Sequence, residues 1–194
     1  MSQTLRERRR ANDFVAVQEL CAQSGGRIAI ERTEDTPPRQ YVLRFAVRTL
    51  GPRANAVAPT VRDVRLRVDL PDAYPNPGSM PRVKAVGPIY HPHFFSPGGD
   101  MCIGNAPLTG LAAFVEWLGR VLVLDPSVTN EYSPANGEAM AWVRANRASL
   151  PLDPVDFRVA VVRDANGQAT RPAEAEAPPA GARPRPVRIA WGLA

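Results

Sequence analysis

The sequence predicts an α+β fold, with helices on one face of an antiparallel sheet. Three observations carry this prediction. The chain opens with a stretch of helical periodicity, continues through segments of strict alternation, and returns to helical stretches only after a Pro-rich interruption. Strands grouped before helices are joined by hairpins, which give antiparallel neighbours rather than crossover units. With 44% hydrophobic residues in 194, the chain has enough apolar material for the core of one ordinary domain plus an extension.

Each element can be justified in turn. From about Ser2 to Ser24, Phe14, Val17 and Cys21 recur at helical spacing with Leu20 beside them, and Ser24-Gly25-Gly26 ends the run. Arg27 to Arg32 alternates, with Ile28 and Ile30 on one face. Tyr41 to Val47 places Tyr41, Leu43, Phe45 and Val47 together, and Val64 to Leu70 sets four apolar residues against Arg65, Arg67 and Asp69. These are half-buried strands of a meander, punctuated by Pro37-Pro38 and Gly51-Pro52. PDAYPNPGSMPRV is too rich in proline for a helix or a central strand. A short strand, Arg82 to Val86, follows it. Leu111 to Leu124 and Pro134 to Arg147 read as helices, the second with Ala135, Ala139 and Trp142 on one side. The natural division is a domain over residues 1–150 and an Ala/Pro-rich extension over residues 151–194. Strand-like pieces stand in that extension at Arg158 to Val162 and Val187 to Trp191.

Composition narrows the function classes. No apolar run approaches the roughly 18 residues of a membrane span, and the N-terminal stretch has charge but no apolar core of a secretory signal. Two cysteines, Cys21 and Cys102, make no disulfide framework, which fits a reducing cytoplasm. The net charge is +5, but the arginines are scattered, and the one run, Arg8-Arg9-Arg10, lies in the first helix. A solvated or protein-binding helix face is expected, not a nucleic-acid interface. Lys84 is the only lysine, as codon bias toward arginine and alanine would produce.

The chemistry is concentrated in two neighbouring stretches, Tyr90-His91-Pro92-His93 and Asp100-Met101-Cys102-Ile103. Both lie in irregular sequence, where a thiol is partly exposed and free to react. Three readings are open to Cys102. It can be a small buried hydrophobe, the reading that suits Cys21. It can join His91 and His93 in a zinc site, although the chain offers no fourth Cys or His except Cys21. It can be a nucleophile.

The surrounding residues favour the third. VDLPDAYPNP, IYHPH, GGDMCI, VLVLDPS and SPANGEAM, in that order, resemble the ubiquitin-conjugating (E2) enzymes over about the first 150 residues. That resemblance implies the E2 (UBC)-like fold: an N-terminal helix, a four-stranded antiparallel meander, an active-site loop and C-terminal helices. It implies that Cys102 accepts a ubiquitin-like protein from an E1-like activating enzyme as a thioester and passes it to an amine of a protein target, with no cofactor or metal. His93 stands where the family usually has an oxyanion-donating asparagine. A minority of members carry His-Pro-His here, including a type that modifies N-terminal α-amines. His91, with Pro92 and Tyr90, matches the residues that hold the active-site loop in shape. Asn130 and Glu131 follow Asp125-Pro126, where the family places residues that orient the incoming amine. Arg6, Arg9 and Arg10 occupy the helix with which the family meets E1. The family tryptophan soon after the cysteine is absent, and Asn76 replaces an aromatic that meets RING-type ligases. The tail, the single lysine and the Ala/Arg/Pro bias suggest a bacterial chain, and the resemblance then implies the setting of bacterial E2-like proteins, which act in conjugation operons, some of them antiviral. A catalytically silent E2-like scaffold and a Cys-His hydrolase are the alternatives.

Overall fold

The computed structural model describes residues 4–158, apart from positions 77, 97, 98, 105 and 108. Helix α1 spans Leu5–Gln23. Its start is fixed by a reciprocal capping box: Thr4 Oγ1 accepts from the Glu7 amide, and the Glu7 carboxylate accepts from the Thr4 amide. The helix buries Val17 and Leu20, with Phe14 and Cys21 packed beside them, so the spacing seen in the sequence is the packing face.

Strands β1 (Ile28–Glu34), β2 (Gln40–Thr49), β3 (Thr60–Asp69) and β4 (Arg82–Ala85) form one antiparallel sheet in sequential order. Tyr41, Leu43, Phe45 and Val47 face the helices, as do Val64, Leu66 and Val68. The opposite face carries charge and ties strand to strand through Arg44–Asp63 at 3.0 Å and Arg65–Glu31 at 2.8 Å. A register shift between Ile30 and Arg32 bends the outer strand β1.

Helix α2 is Leu111–Leu122, two residues shorter than its apolar run suggests. The Asp125 amide bonds the Arg120 carbonyl and the Leu124 amide bonds that of Val121. These two bonds form a Schellman closure, with Leu124 at φ 59° where glycine is usual. The left-handed turn sends the Leu124 side chain into a second, smaller core with Leu50, Ala139, Met140 and Val143. Helix α3, Gly137–Ala145, docks there and is capped by Asn136. It begins three residues later than the sequence suggests, leaving Pro134 and Ala135 in the preceding loop.

Residues past position 150 also pack on this unit. Phe157 is fully buried, and its ring lies so close to Gly119 that a Cβ there would come within 2.7 Å of Phe157 Cζ. The Arg27 guanidinium sits over the ring, 4.0 Å from its centroid, and donates to the carbonyls of Asp156 (2.9 Å) and Pro154 (2.7 Å). Leu152 bonds the Val123 carbonyl. Apart from Arg158, which is not in a strand, the two strands expected in the extension lie outside the described residues.

Candidate active site

The polypeptide after β4 loops away and returns along the free edge of that strand. Met101 donates to the Val83 carbonyl, Ala85 to that of Gly99, and Phe94 pairs with Met101 across a narrow hairpin. This edge contact carries Cys102 to the end of the sheet. There its amide donates to the His93 carbonyl at 2.8 Å. The residue is partly exposed and lines a cleft of about 570 Å³, together with Pro92, His93, Trp117, Arg120 and Asn130. Cys21 behaves differently: it is half-buried in the helix–sheet layer, and burial pushes its thiol pKa up.

His91 and His93 are buried, and their hydrogen bonds define their tautomers. His91 Nδ1 accepts from the His93 amide at 3.2 Å, so Nε2 carries the proton and donates to the Val121 carbonyl at 3.0 Å. Burial, with the neighbouring His93, lowers the His91 pKa to about 3, against the opposing pull of that carbonyl. His93 Nε2 accepts from the Asn130 amide at 3.1 Å, so the proton sits on Nδ1 and is donated to the Cys102 carbonyl at 3.3 Å. Burial lowers its pKa as well. Both imidazoles are therefore neutral, and both nitrogens of each are engaged. This leaves His91 unable to ligate zinc without losing its bond to α2, and among the described residues no group of three potential ligands converges. It also changes the role expected of His93. In this arrangement the ring has no free N–H for an oxyanion; it clamps the Cys102 backbone to the loop at 130. Tyr90 is partly buried against the second core, and the Pro92 carbonyl accepts from Ala135 and Asn136 at the start of α3.

The loop after α2 is ordered by Asp125. Its carboxylate accepts from Arg120, the Ser127 amide and the Ser127 hydroxyl. Burial pushes the Asp125 pKa up, but these donors outweigh it and hold the carboxyl below its ordinary value. Asn130 Oδ1 accepts from the amides of Tyr132 and Ser133, so its side chain shapes the loop while its own amide holds His93. Glu131 is not brought to Cys102. Its carboxylate pairs with Arg147 and its carbonyl with Arg144, which turns it toward a neighbouring depression. Among the described residues no acidic side chain lines the Cys102 cleft.

The arginines of α1 lie away from the cleft. Arg6 reaches the Asp72 carbonyl at 3.5 Å, and Arg9 pairs with Asp13 at 3.1 Å. Arg10 is partly buried, with no partner for its Nε among the described residues.

Three contributors are absent from the sequence reading. Trp117 lines the cleft and meets His93 edge-on at 6.4 Å, bringing an aromatic to the site from mid-helix rather than from the segment after the cysteine. Arg120 lines the cleft five residues before Asp125; that charge pair was visible in the sequence as an Arg near the end of a helix before an Asp-Pro turn. Asp13 is a buried hub: it accepts from Arg9, from the Tyr74 hydroxyl at 2.8 Å and from the Leu111 amide at 3.5 Å. Gly110 offers α2 no side-chain cap, and Asp13 supplies one from another helix. A lone Asp on an apolar helix face was the available signal.

No known family model and no curated protein matches the sequence. Solved structures do match. A candidate ubiquitin-conjugating enzyme from Plasmodium yoelii superposes with a TM-score of 0.50 at 16% identity, covering 81% of this chain and 96% of the other. One from Trypanosoma cruzi does so with a TM-score of 0.50 at 21% identity, covering 78% and 96%. The chain therefore has the UBC-like α+β fold, and its partly exposed cysteine stands in a cleft at the end of the sheet.

Proposed function

We propose that this protein is an E2-like enzyme that takes a ubiquitin-like protein from an E1-like partner as a Cys102 thioester and transfers it to an amine of a protein target. One observation carries the reading: in a UBC-like fold, the partly exposed thiol lines the cleft whose walls are the His-Pro-His segment and the loop after Asp125. The Cys102 thiolate attacks the carbonyl carbon of the E1-bound thioester, a new C–S bond forms, and the E1 thiolate leaves. An amine nitrogen then attacks the same carbon, the Cys102 thiolate leaves, and the amine proton passes to solvent. In this scheme His93 and His91 position the thiol, and Asn130 holds the wall opposite it. Arg6, Arg9 and Arg10 form the E1-facing part of α1. The bacterial cast of the composition, with the resemblance to bacterial E2-like proteins, extends the proposal to a conjugation operon, with antiviral defence as its setting.

Incubation with the cognate E1, ATP and ubiquitin-like protein, followed by a non-reducing gel, tests this reading. A thiol-labile adduct is expected. It should vanish in Cys102→Ala and become a thiol-resistant oxyester in Cys102→Ser. No adduct with a demonstrably active E1 overturns the enzyme in favour of a silent scaffold.

A further inference from the structure

We propose that the depression beside the Cys102 cleft recognises acidic residues flanking the acceptor group of the target. The inference rests on the thioester reading above and adds the substrate class. The depression measures about 500 Å³ and is bounded by Pro126, Tyr132, Arg144 and Arg147, with Glu131 in its wall. It shares Thr129 and Asn130 with the Cys102 cleft. A peptide that presents an amine at Cys102 therefore lays neighbouring residues over this surface.

Its charge is set by two guanidinium groups against one carboxylate. Arg147 pairs with Glu131, yet its side chain is 63% exposed and keeps donors to spare. Arg144 reaches only the Glu131 main-chain carbonyl, at 2.8 Å, and has no carboxylate partner among the described residues. The adjoining cleft adds no acidic side chain to repel an anion. Tyr132 stands fully exposed at the rim, on a backbone held by two bonds to Asn130 Oδ1 at 3.1 and 3.2 Å. An aromatic ring left wholly in water on a fixed turn offers apolar contact area at little entropic cost. Guanidinium groups, with forked donors, suit the carboxylates of Asp or Glu. The alternative is that both arginines only staple α3 and the turn after it to the loop.

The test uses the full chain charged at Cys102 and measures single-turnover discharge onto three peptides. Each has a free N-terminus and one lysine, flanked by Glu, Ser or Arg. The Glu peptide should react about threefold faster than the Ser peptide at low ionic strength, as one exposed ion pair allows, and the advantage should shrink with salt. The Glu-to-Ser ratio should fall to about one in Arg144→Gln and be reduced in Tyr132→Ala. A wild-type ratio of one, or a ratio that survives both substitutions, overturns the proposal. Should no thioester form, the E2 reading fails on its own, and an NMR titration of the uncharged chain still decides the site. Amide shifts clustered at Tyr132 and Arg144 with the Glu peptide but not the Arg peptide support it; no such shifts overturn it.

Discussion

Consider urea unfolding measured at pH 7.0 and again at pH 5.0. The chain contains two histidines, His91 and His93, and both are buried with lowered pKa values. Proton uptake on unfolding in this window therefore belongs chiefly to them. Carboxylates ordinarily titrate at roughly pH 4, so most of their proton uptake lies below this window. The sign follows from linkage. Unfolded His91 binds a proton near pH 6.5, whereas folded His91 resists until about pH 3. Between those values the unfolded state holds more protons, so stability falls as the pH falls. From pH 7 to pH 5, with RT of about 0.6 kcal/mol, a histidine that stays neutral when folded loses about 2 kcal/mol of stabilisation. His93 adds a loss of the same sign. For a domain whose net stability is about 5–15 kcal/mol, this is a large fraction.

The assay is the change in unfolding free energy at constant m-value, for wild type and for His91→Gln. The glutamine amide can still donate toward the Val121 carbonyl but does not titrate. The variant starts weaker at pH 7, and its loss between pH 7 and pH 5 should be about 2 kcal/mol smaller than that of wild type. A wild-type loss under about 1 kcal/mol, or an equal loss in the variant, would refute the buried neutral assignment.

Three further outcomes follow from the packing. Phe157→Ala should cost about 3–5 kcal/mol in urea unfolding, because a fully buried ring is lost; Gly119→Ala should cost about 1–3 kcal/mol alone but little in the Phe157→Ala background, where the clash is gone. Asp13→Ala should cost about 3 kcal/mol and Tyr74→Phe about 1 kcal/mol, with the double variant falling short of the sum because the two share a buried hydrogen bond. His93→Ala should speed hydrogen exchange of the Asn130 amide about tenfold, the loss of roughly one hydrogen bond, while exchange at the Asp125-ordered amide of Ser127 stays slow.

The sheet was legible because period-two alternation and burial are the same physical fact: every apolar residue of Tyr41–Val47 that alternates is a residue under a helix. Helix ends were less legible. The apolar run through Leu124 continues past the last helical residue because the Schellman turn buries Leu124 in a different core, and hydrophobicity does not say which core. The partial exposure of Cys102 was readable from the irregular, Pro- and Gly-rich sequence around it. The work of His93 was not, because its two partners, the Cys102 carbonyl and the Asn130 amide, are backbone atoms that any residue could supply. Glu131 illustrates the same limit: its charge fitted an acceptor-side role, but Arg147, sixteen residues on, pairs with it first.

These backbone partners explain how a loop-built cleft can be rigid enough for the proposed acyl transfer. Helix α2, the start of α3, the Cys102 segment and the loop at 130 are distant in sequence, and each touches the tripeptide His91-Pro92-His93. His91 holds α2 through Val121, the Pro92 carbonyl holds Ala135 and Asn136, and His93 holds Cys102 and Asn130. A displacement of any one element stretches a hydrogen bond that is buried, as at Val121, or partly buried in the cleft wall, as at Cys102 and Asn130. Neutrality of both imidazoles is part of this brace, since each ring must accept at one nitrogen and donate at the other. At the outer rim the Tyr132 backbone is tied to the brace through Asn130, while the side chains of Tyr132 and Pro126 stand exposed. In the proposed reaction these hydrogen bonds fix the thiol side, and the exposed side chains of the rim are left to meet the target.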